Sequence, residues 1–222
     1  MYGAELKLGL LEFAVIPVKR LADGKSRLKR LFNQEQRRRL ILKMLELVAD
    51  ACTEAGLKRV YVIGSDPEVE ALVEQKGLSF IPDEWGGLNE SLEGAVDMLY
   101  SRHKGGFAVF PCDLPLISPE DVKTVERLLE HNDVVISPSL ELKGTNALAM
   151  RDARAIRMQF GASSFIKHLS SAKACGKRVA IYVSLRVGLD VDLPKDVAAL
   201  RRLSRLGYER IKGLRGLDYL RL

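Results

Sequence analysis

The apolar pattern of this chain switches repeatedly between the period of a strand and the period of a helix, and that alternation restricts it to an α/β layer architecture. Residues 12–18 read as a first strand, and a polar, glycine-containing loop follows through Lys29. Asn33 is placed to cap a long helix, with Gln36 in position to complete a capping box. Leu40, Met44, Leu47, Val48 and Ala51 then recur at helical spacing until Gly56 ends the run. Further strands are expected at 59–63, 78–81, 107–110, 133–137, 146–150 and 178–183. Further helices are expected at 67–76, 88–102, 163–175 and 194–206, with another opened by a serine cap in Ser118-Pro119-Glu120. Residues 107–110 are apolar throughout, as in the central strands of parallel sheets. No repeat, linker or low-complexity stretch interrupts the series. Residues 1–222 are therefore expected to form one domain, a Rossmann-like, doubly wound and mostly parallel sheet.

A hydrophobic fraction of 47% is enough for such a core without disulfides or a structural metal. The net charge of +6 and the pI near 9.2 suit an anionic ligand, without choosing among nucleotide, acidic metabolite and nucleic acid. Cys52, Cys112 and Cys175 have no CxxC spacing, so neither a zinc site nor a disulfide framework is expected, and reduced thiols fit the cytoplasm. Glu5, Lys7 and Glu12 break any leader-like apolar run, and no stretch approaches the roughly 18 apolar residues of a membrane span. Nucleic acid is disfavoured as a partner, because the cations gather in one loop and the tail with few aromatics to stack on bases.

Ligands of open α/β sheets bind beyond the carboxyl ends of the strands, and four such loops carry unusual chemistry. The first, 16–29, concentrates Lys19, Lys25 and Arg27 around Gly24 and could hold a triphosphate; it lacks the Walker pattern, and a plain solvated loop is the alternative. The second places Asp113 directly after the most apolar strand, where a carboxylate is costly unless paired or bound to a cation. The third, Gly188-Leu189-Asp190-Val191-Asp192, puts two carboxylates on one face of a short strand, although Asp192 could equally cap the helix after Pro194. With Asp113 they suggest a single magnesium site. The fourth joins Gly144-Thr145-Asn146 to Gly161-Ala162-Ser163-Ser164, where outward N–H groups at a helix start could bind an anion, or where a serine simply caps. His103, His131 and His168 have no Ser/Asp or metal-ligand partner at recognisable spacing, so no catalytic histidine is expected.

The segments IPVKRLADGKSRL, GLNESLEGAV, FPCDLPLIS, GTNAL, FGASSF and GLDVDLPKD, taken in that order, resemble the 2-phospho-L-lactate guanylyltransferases of coenzyme F420 biosynthesis, from about residue 12 to 203. These are relatives of the molybdopterin guanylyltransferases, whose GxGxR signature is replaced here by KRLADGKSR. The resemblance implies a nucleotide-diphospho-sugar transferase fold and transfer of GMP from GTP to 2-phospho-L-lactate, with phosphoenolpyruvate or 3-phosphoglycerate as acceptors in other lineages. It implies Lys25 and Asp113 as catalytic groups and Lys19, Lys25, Arg27, Gly87, Leu88 and Asn89 as GTP contacts. Thr145, Gly161 and Ser164 would hold the acid, and Asp113, Asp190 and Asp192 a magnesium ion. A molybdopterin or sugar-phosphate acceptor on the same fold, and a non-enzymatic basic RNA-binding module, are the competing readings.

The segment at about 207–222 carries Tyr208, Ile211, Leu214, Leu217, Tyr219, Leu220 and Leu222 but is too short and glycine-interrupted to fold alone. It could fold back on its own domain or dock on a second copy; the resemblance favours a homodimer, and the expectation is a dimer to which this tail contributes.

Overall fold

The computed structural model describes residues 10–222. Glu5 and Lys7 lie outside the described residues. Among the described residues seven strands form one sheet, in the order β3-β2-β1-β4-β6-β5-β7. They are β1 (Leu11–Pro17), β2 (Val60–Gly64), β3 (Ser79–Pro82), β4 (Gly106–Val109), β5 (Val134–Pro138), β6 (Thr145–Met150) and β7 (Val179–Ile181). Only β6 runs against its neighbours, pairing antiparallel with both β4 and β5, while the other pairings are parallel. The expected doubly wound, mostly parallel sheet is therefore present.

Period-two alternation on the central strands explains the layers. Ala14 and Ile16 of β1, with Ala108 and Phe110 at β4, face one core, while Phe13 and Val15, with Phe107 and Val109, face the other. The first core is closed by α1 (Gln34–Glu54), α2 (Pro67–Gln75) and α4 (Pro119–Leu129); the second by α3 (Leu88–His103) and α5 (Ser164–Ala174). Asn33 and Gln36 form the expected reciprocal capping box, both bonds 2.9 Å.

Ser118 stands at the N-cap of α4 with Pro119 at the first position, as expected, and its N–H and Oγ–H both donate to the fully buried Asp121 carboxylate, at 2.9 and 2.6 Å. Other expectations fail locally. Residues 188–192 are not a strand: the chain makes a helical turn, α6 (Leu185–Gly188), and then an extended stretch held by Val191 N–H on the Asp113 carbonyl at 3.1 Å. Nor does Asp192 cap α7 (Pro194–Arg205), because the Asp196 carboxylate accepts from the Asp192 and Leu193 N–H groups, leaving the Asp192 side chain free for another partner.

The tail takes the first of its two routes. Ile211, Leu214, Leu217 and Leu220 are buried against Leu28, Phe32, Leu40 and Met44, and Tyr219 O–H donates to the Gln36 carbonyl at 2.6 Å. Leu222, by contrast, stays 39% exposed. Among the described residues no helix is long and apolar enough to cross a membrane.

Candidate active site

The strand order reverses between β1 and β4, and the loops leaving these neighbours meet at their carboxyl ends. Gly24 lets the loop after β1 approach α1: a Cβ there would lie 2.3 Å from the Ile41 Cδ1 atom. Lys25 follows in the left-handed region, φ 53° and ψ 34°, a conformation disfavoured for a residue with a Cβ and retained only when its surroundings fix it. They do: Lys25 Nζ lies 2.7 Å from Asp113 Oδ2 and 2.6 Å from Asp192 Oδ1, with 7% of its side chain exposed. Burial alone would lower the pKa of this ammonium, but Asp113 and Asp192 outweigh it and hold it above the ordinary lysine range.

Asp113, Asp190 and Asp192 each bring a carboxylate oxygen within 4.8 Å of the others. Burial, then the Asp113 charge, raises the Asp190 pKa, against the Asn146 hydrogen bond that lowers it. Burial would raise Asp192 too, but Lys25, followed by Arg27 and Lys19, holds it below the usual carboxylate range. Lys19 and Arg27 are exposed, so the loop adds two solvated cations near Asp192 to the one buried against Asp113 and Asp192. Three carboxylates and one ammonium leave two negative charges, and the donors are hard oxygens, so the set fits one divalent ion of the magnesium type. Next door, burial and then Asp113 push the Cys112 thiol up to about 12, so it stays protonated and supplies no nucleophile.

Asn146, which the sequence did not single out as a site residue, organises the third carboxylate. Its amide Nδ2 donates to Asp190 Oδ1 at 3.0 Å and to the Val187 and Gly188 carbonyls at 3.0 and 3.1 Å. The α6 turn is itself anchored, since Arg186 donates to both oxygens of Asp121 at 2.6 and 2.8 Å, and Tyr182 O–H donates to Asp121 at 2.6 Å. The signal available was Asn146 following Thr145 at the start of a strand; nothing local marks Arg186.

The other expected residues form a second cluster. Thr145 starts β6, and because β6 is antiparallel, its first residue lies at the same end of the sheet as the ends of β1 and β4. Thr145 and Ser164 are both nearly buried, while Gly161, at φ 113°, sits in the left-handed region that glycine adopts readily. The start of α5 is not a free row of donors: Ser164 N–H is bonded to the Gly161 carbonyl at 3.1 Å and Phe165 N–H to the Lys143 carbonyl at 3.2 Å. Gly87 and Leu88 open α3, and the Asn89 side chain is committed to the Phe160 backbone, accepting from its N–H at 2.7 Å and donating to its carbonyl at 3.2 Å. Asn89 therefore ties the start of α3 to the 159–164 loop instead of offering a free amide to a base.

Residues 12–202 match the family described as "Guanylyl transferase CofC like". The chain belongs to this family. A phosphoenolpyruvate guanylyltransferase of Rubrobacter xylanophilus is 38% identical over 197 residues, spanning 88% of this chain and 96% of the relative. A 2-phospho-L-lactate guanylyltransferase of Methanosarcina barkeri is 33% identical over 187 residues, spanning 84% and 85%. In three dimensions the chain resembles a structure from Desulfovibrio desulfuricans described as a nucleotide-diphospho-sugar transferase, at TM-score 0.75 and 16% identity over 95% of this chain and 96% of that one. Membership in the guanylyl transferase family makes this chain a nucleotidyltransferase, and the nucleotide-diphospho-sugar transferase fold expected from the sequence is the one observed.

Proposed function

We propose that this family member transfers GMP from GTP to phosphoenolpyruvate, with release of diphosphate, as a step of coenzyme F420 biosynthesis. Carrying the reading is the junction of a buried lysine with three convergent carboxylates at the ends of β1 and β4, in a chain 38% identical to a phosphoenolpyruvate guanylyltransferase. A second reading, 2-phospho-L-lactate as acceptor, is supported by the relative that is 33% identical. Both acids present a phosphate beside a carboxylate.

In the reaction an acceptor phosphate oxygen attacks the α-phosphorus of GTP, the bond to the α,β-bridging oxygen breaks, and diphosphate leaves with the electron pair. No proton need be removed, since a phosphate monoester is already an anion near neutral pH. The barrier is set by repulsion between polyanions. Lys25 holds its charge where the carboxylates converge, and Lys19 and Arg27 extend positive potential toward the triphosphate. A magnesium ion held by Asp113, Asp190 and Asp192 would add charge neutralisation at the phosphates. Gly87 and Leu88 would face the nucleoside, with Asn89 shaping the wall behind them. Thr145, Gly161 and Ser164 would receive the acid. The protein would work in the cytoplasm, as a homodimer.

The test is diphosphate release across a grid of GTP, ATP and CTP against phosphoenolpyruvate, 2-phospho-L-lactate and 3-phosphoglycerate. Turnover is expected with GTP and phosphoenolpyruvate, dependent on magnesium. Preference for 2-phospho-L-lactate would move the assignment to the second reading, and release with no acid acceptor would reject both. Asp113→Asn should lower kcat by about a hundredfold or more, the scale of losing a key electrostatic group.

A further inference from the structure

His168 has no role in the chemistry above, yet it is fully buried on α5 between the residues assigned to the acid. Its Nδ1 lies 2.9 Å from Thr145 Oγ1. On the opposite edge of the ring, Nε2 lies 2.8 Å from the Gln159 backbone nitrogen. A backbone N–H can only donate, so Nε2 must be the unprotonated acceptor, and in a neutral imidazole the proton then resides on Nδ1. Nδ1–H donates to Thr145 Oγ1, and the Thr145 hydroxyl proton is left free to donate elsewhere. Thr145 makes no other side-chain hydrogen bond among the described residues. Burial, aided by the Lys167 charge, pushes the imidazole down to about 4, which keeps this tautomer through the neutral range. The Phe160 ring packs edge-on against the imidazole, with centroids 5.1 Å apart.

We propose that His168 is a positioning residue that joins the two halves of the acid-binding subsite, aiming the Thr145 hydroxyl as a donor to the phospho-acid anion while holding the 159–164 loop, with Gly161 and Ser164, at a fixed distance from β6. It rests on the assignment of Thr145, Gly161 and Ser164 to the acid. The sequence gives no hint of this link, because Thr145 and His168 are 23 residues apart and on different elements. The physical reason for a histidine is that one flat ring presents a donor and an acceptor on opposite edges, which no aliphatic or hydroxyl side chain can do. A donor already receiving a hydrogen bond is polarised and donates more strongly to an anion.

Separate substitutions resolve the two edges. An asparagine amide reaches the Nδ1 position and a glutamine amide the Nε2 position, so His168→Asn keeps the bond to Thr145, His168→Gln keeps the tie to Gln159, and His168→Phe keeps neither. KM for phosphoenolpyruvate and for GTP is measured for each, with thermal unfolding to show that each is folded. His168→Phe should raise KM for phosphoenolpyruvate by about tenfold or more, the scale of one lost hydrogen bond to a charged group, with GTP KM changed by less than about twofold. His168→Asn and His168→Gln should fall between parent and phenylalanine variant, and they carry the test if the phenylalanine variant does not fold. Folded variants whose acid KM stays at the parent value, or whose two KM values rise together, would overturn the proposal. Thr145→Val separates this from the subsite assignment. If it raises the acid KM while the His168 variants do not, only the coupling through His168 fails; if it does not, the subsite and the coupling fail together.

Discussion

Replacing Lys25 by methionine keeps most of the side-chain volume and removes the one buried charge that separates Asp113 from Asp192. The ammonium contacts them at 2.7 and 2.6 Å, and its side chain is 7% exposed, against 19% and 43% for the two carboxylates. Removing one member of a buried ion pair costs about 3–5 kcal/mol, because the remaining charge stays desolvated. Since Asp192 is nearly half exposed, water and salt screen its share, which argues for the lower end, about 3 kcal/mol. Unfolding entropy near 2.1 cal/mol/K per residue converts this, for a chain of 222 residues, to a fall in Tm of about 6 °C. The loss should be measured by calorimetry in EDTA and again with magnesium. Three carboxylates within 4.8 Å and no ammonium form a more negative site, so magnesium should raise Tm more in Lys25→Met than in the parent. Activity should fall about a hundredfold or more all the same, because the metal does not replace the positioned lysine. A variant melting within about 2 °C of the parent in EDTA, less than 1 kcal/mol on this scale, would refute the electrostatic account.

Three further outcomes are expected. Asn146→Leu removes the hydrogen bond that lowers the Asp190 pKa, so the acidic limb of the pH–rate profile should move to higher pH; an unmoved limb would remove Asp190 from the working site. His168 takes up a proton near pH 6.5 when unfolded but only near 4 when folded, so its contribution, about 3 kcal/mol, is complete above pH 6.5 and is lost as pH falls toward 4. Urea unfolding of parent and His168→Gln across that window should show a smaller acid loss in the variant, and parallel curves would contradict the depressed pKa. Leu214→Ala, in the tail core, should cost about 2–5 kcal/mol in urea unfolding without changing the oligomeric state seen by light scattering; a change of state would mean that the tail also serves an interface.

Much of the architecture was legible because its signals are local. The β1 and β4 alternation, the Asn33–Gln36 capping box and Gly56 at the end of α1 each depend on neighbours a few residues away, and each is present. Asp113 could be singled out for the same kind of reason, as a carboxylate abutting an apolar run. The reading was weaker where a local pattern admitted two outcomes. Val191, flanked by two aspartates, suggested a strand, but its N–H bonds the Asp113 carbonyl across the fold. Asp192 looked like a helix cap, yet Asp196 takes the backbone donors at that helix start.

By itself, then, the sequence determined the layers, the strand-end loops and the residue types concentrated there, since hydrophobic period and turn chemistry act over one or two turns of chain. Only the tertiary structure decided which partners meet. Lys25 finds Asp113 88 positions away and Asp192 167 positions away, β6 enters the sheet reversed, and the tail packs over α1. These outcomes turn on long-range charge pairing and burial, whose energies depend on which surfaces are left unpaired once all seven strands are in place; no short window of sequence contains that information.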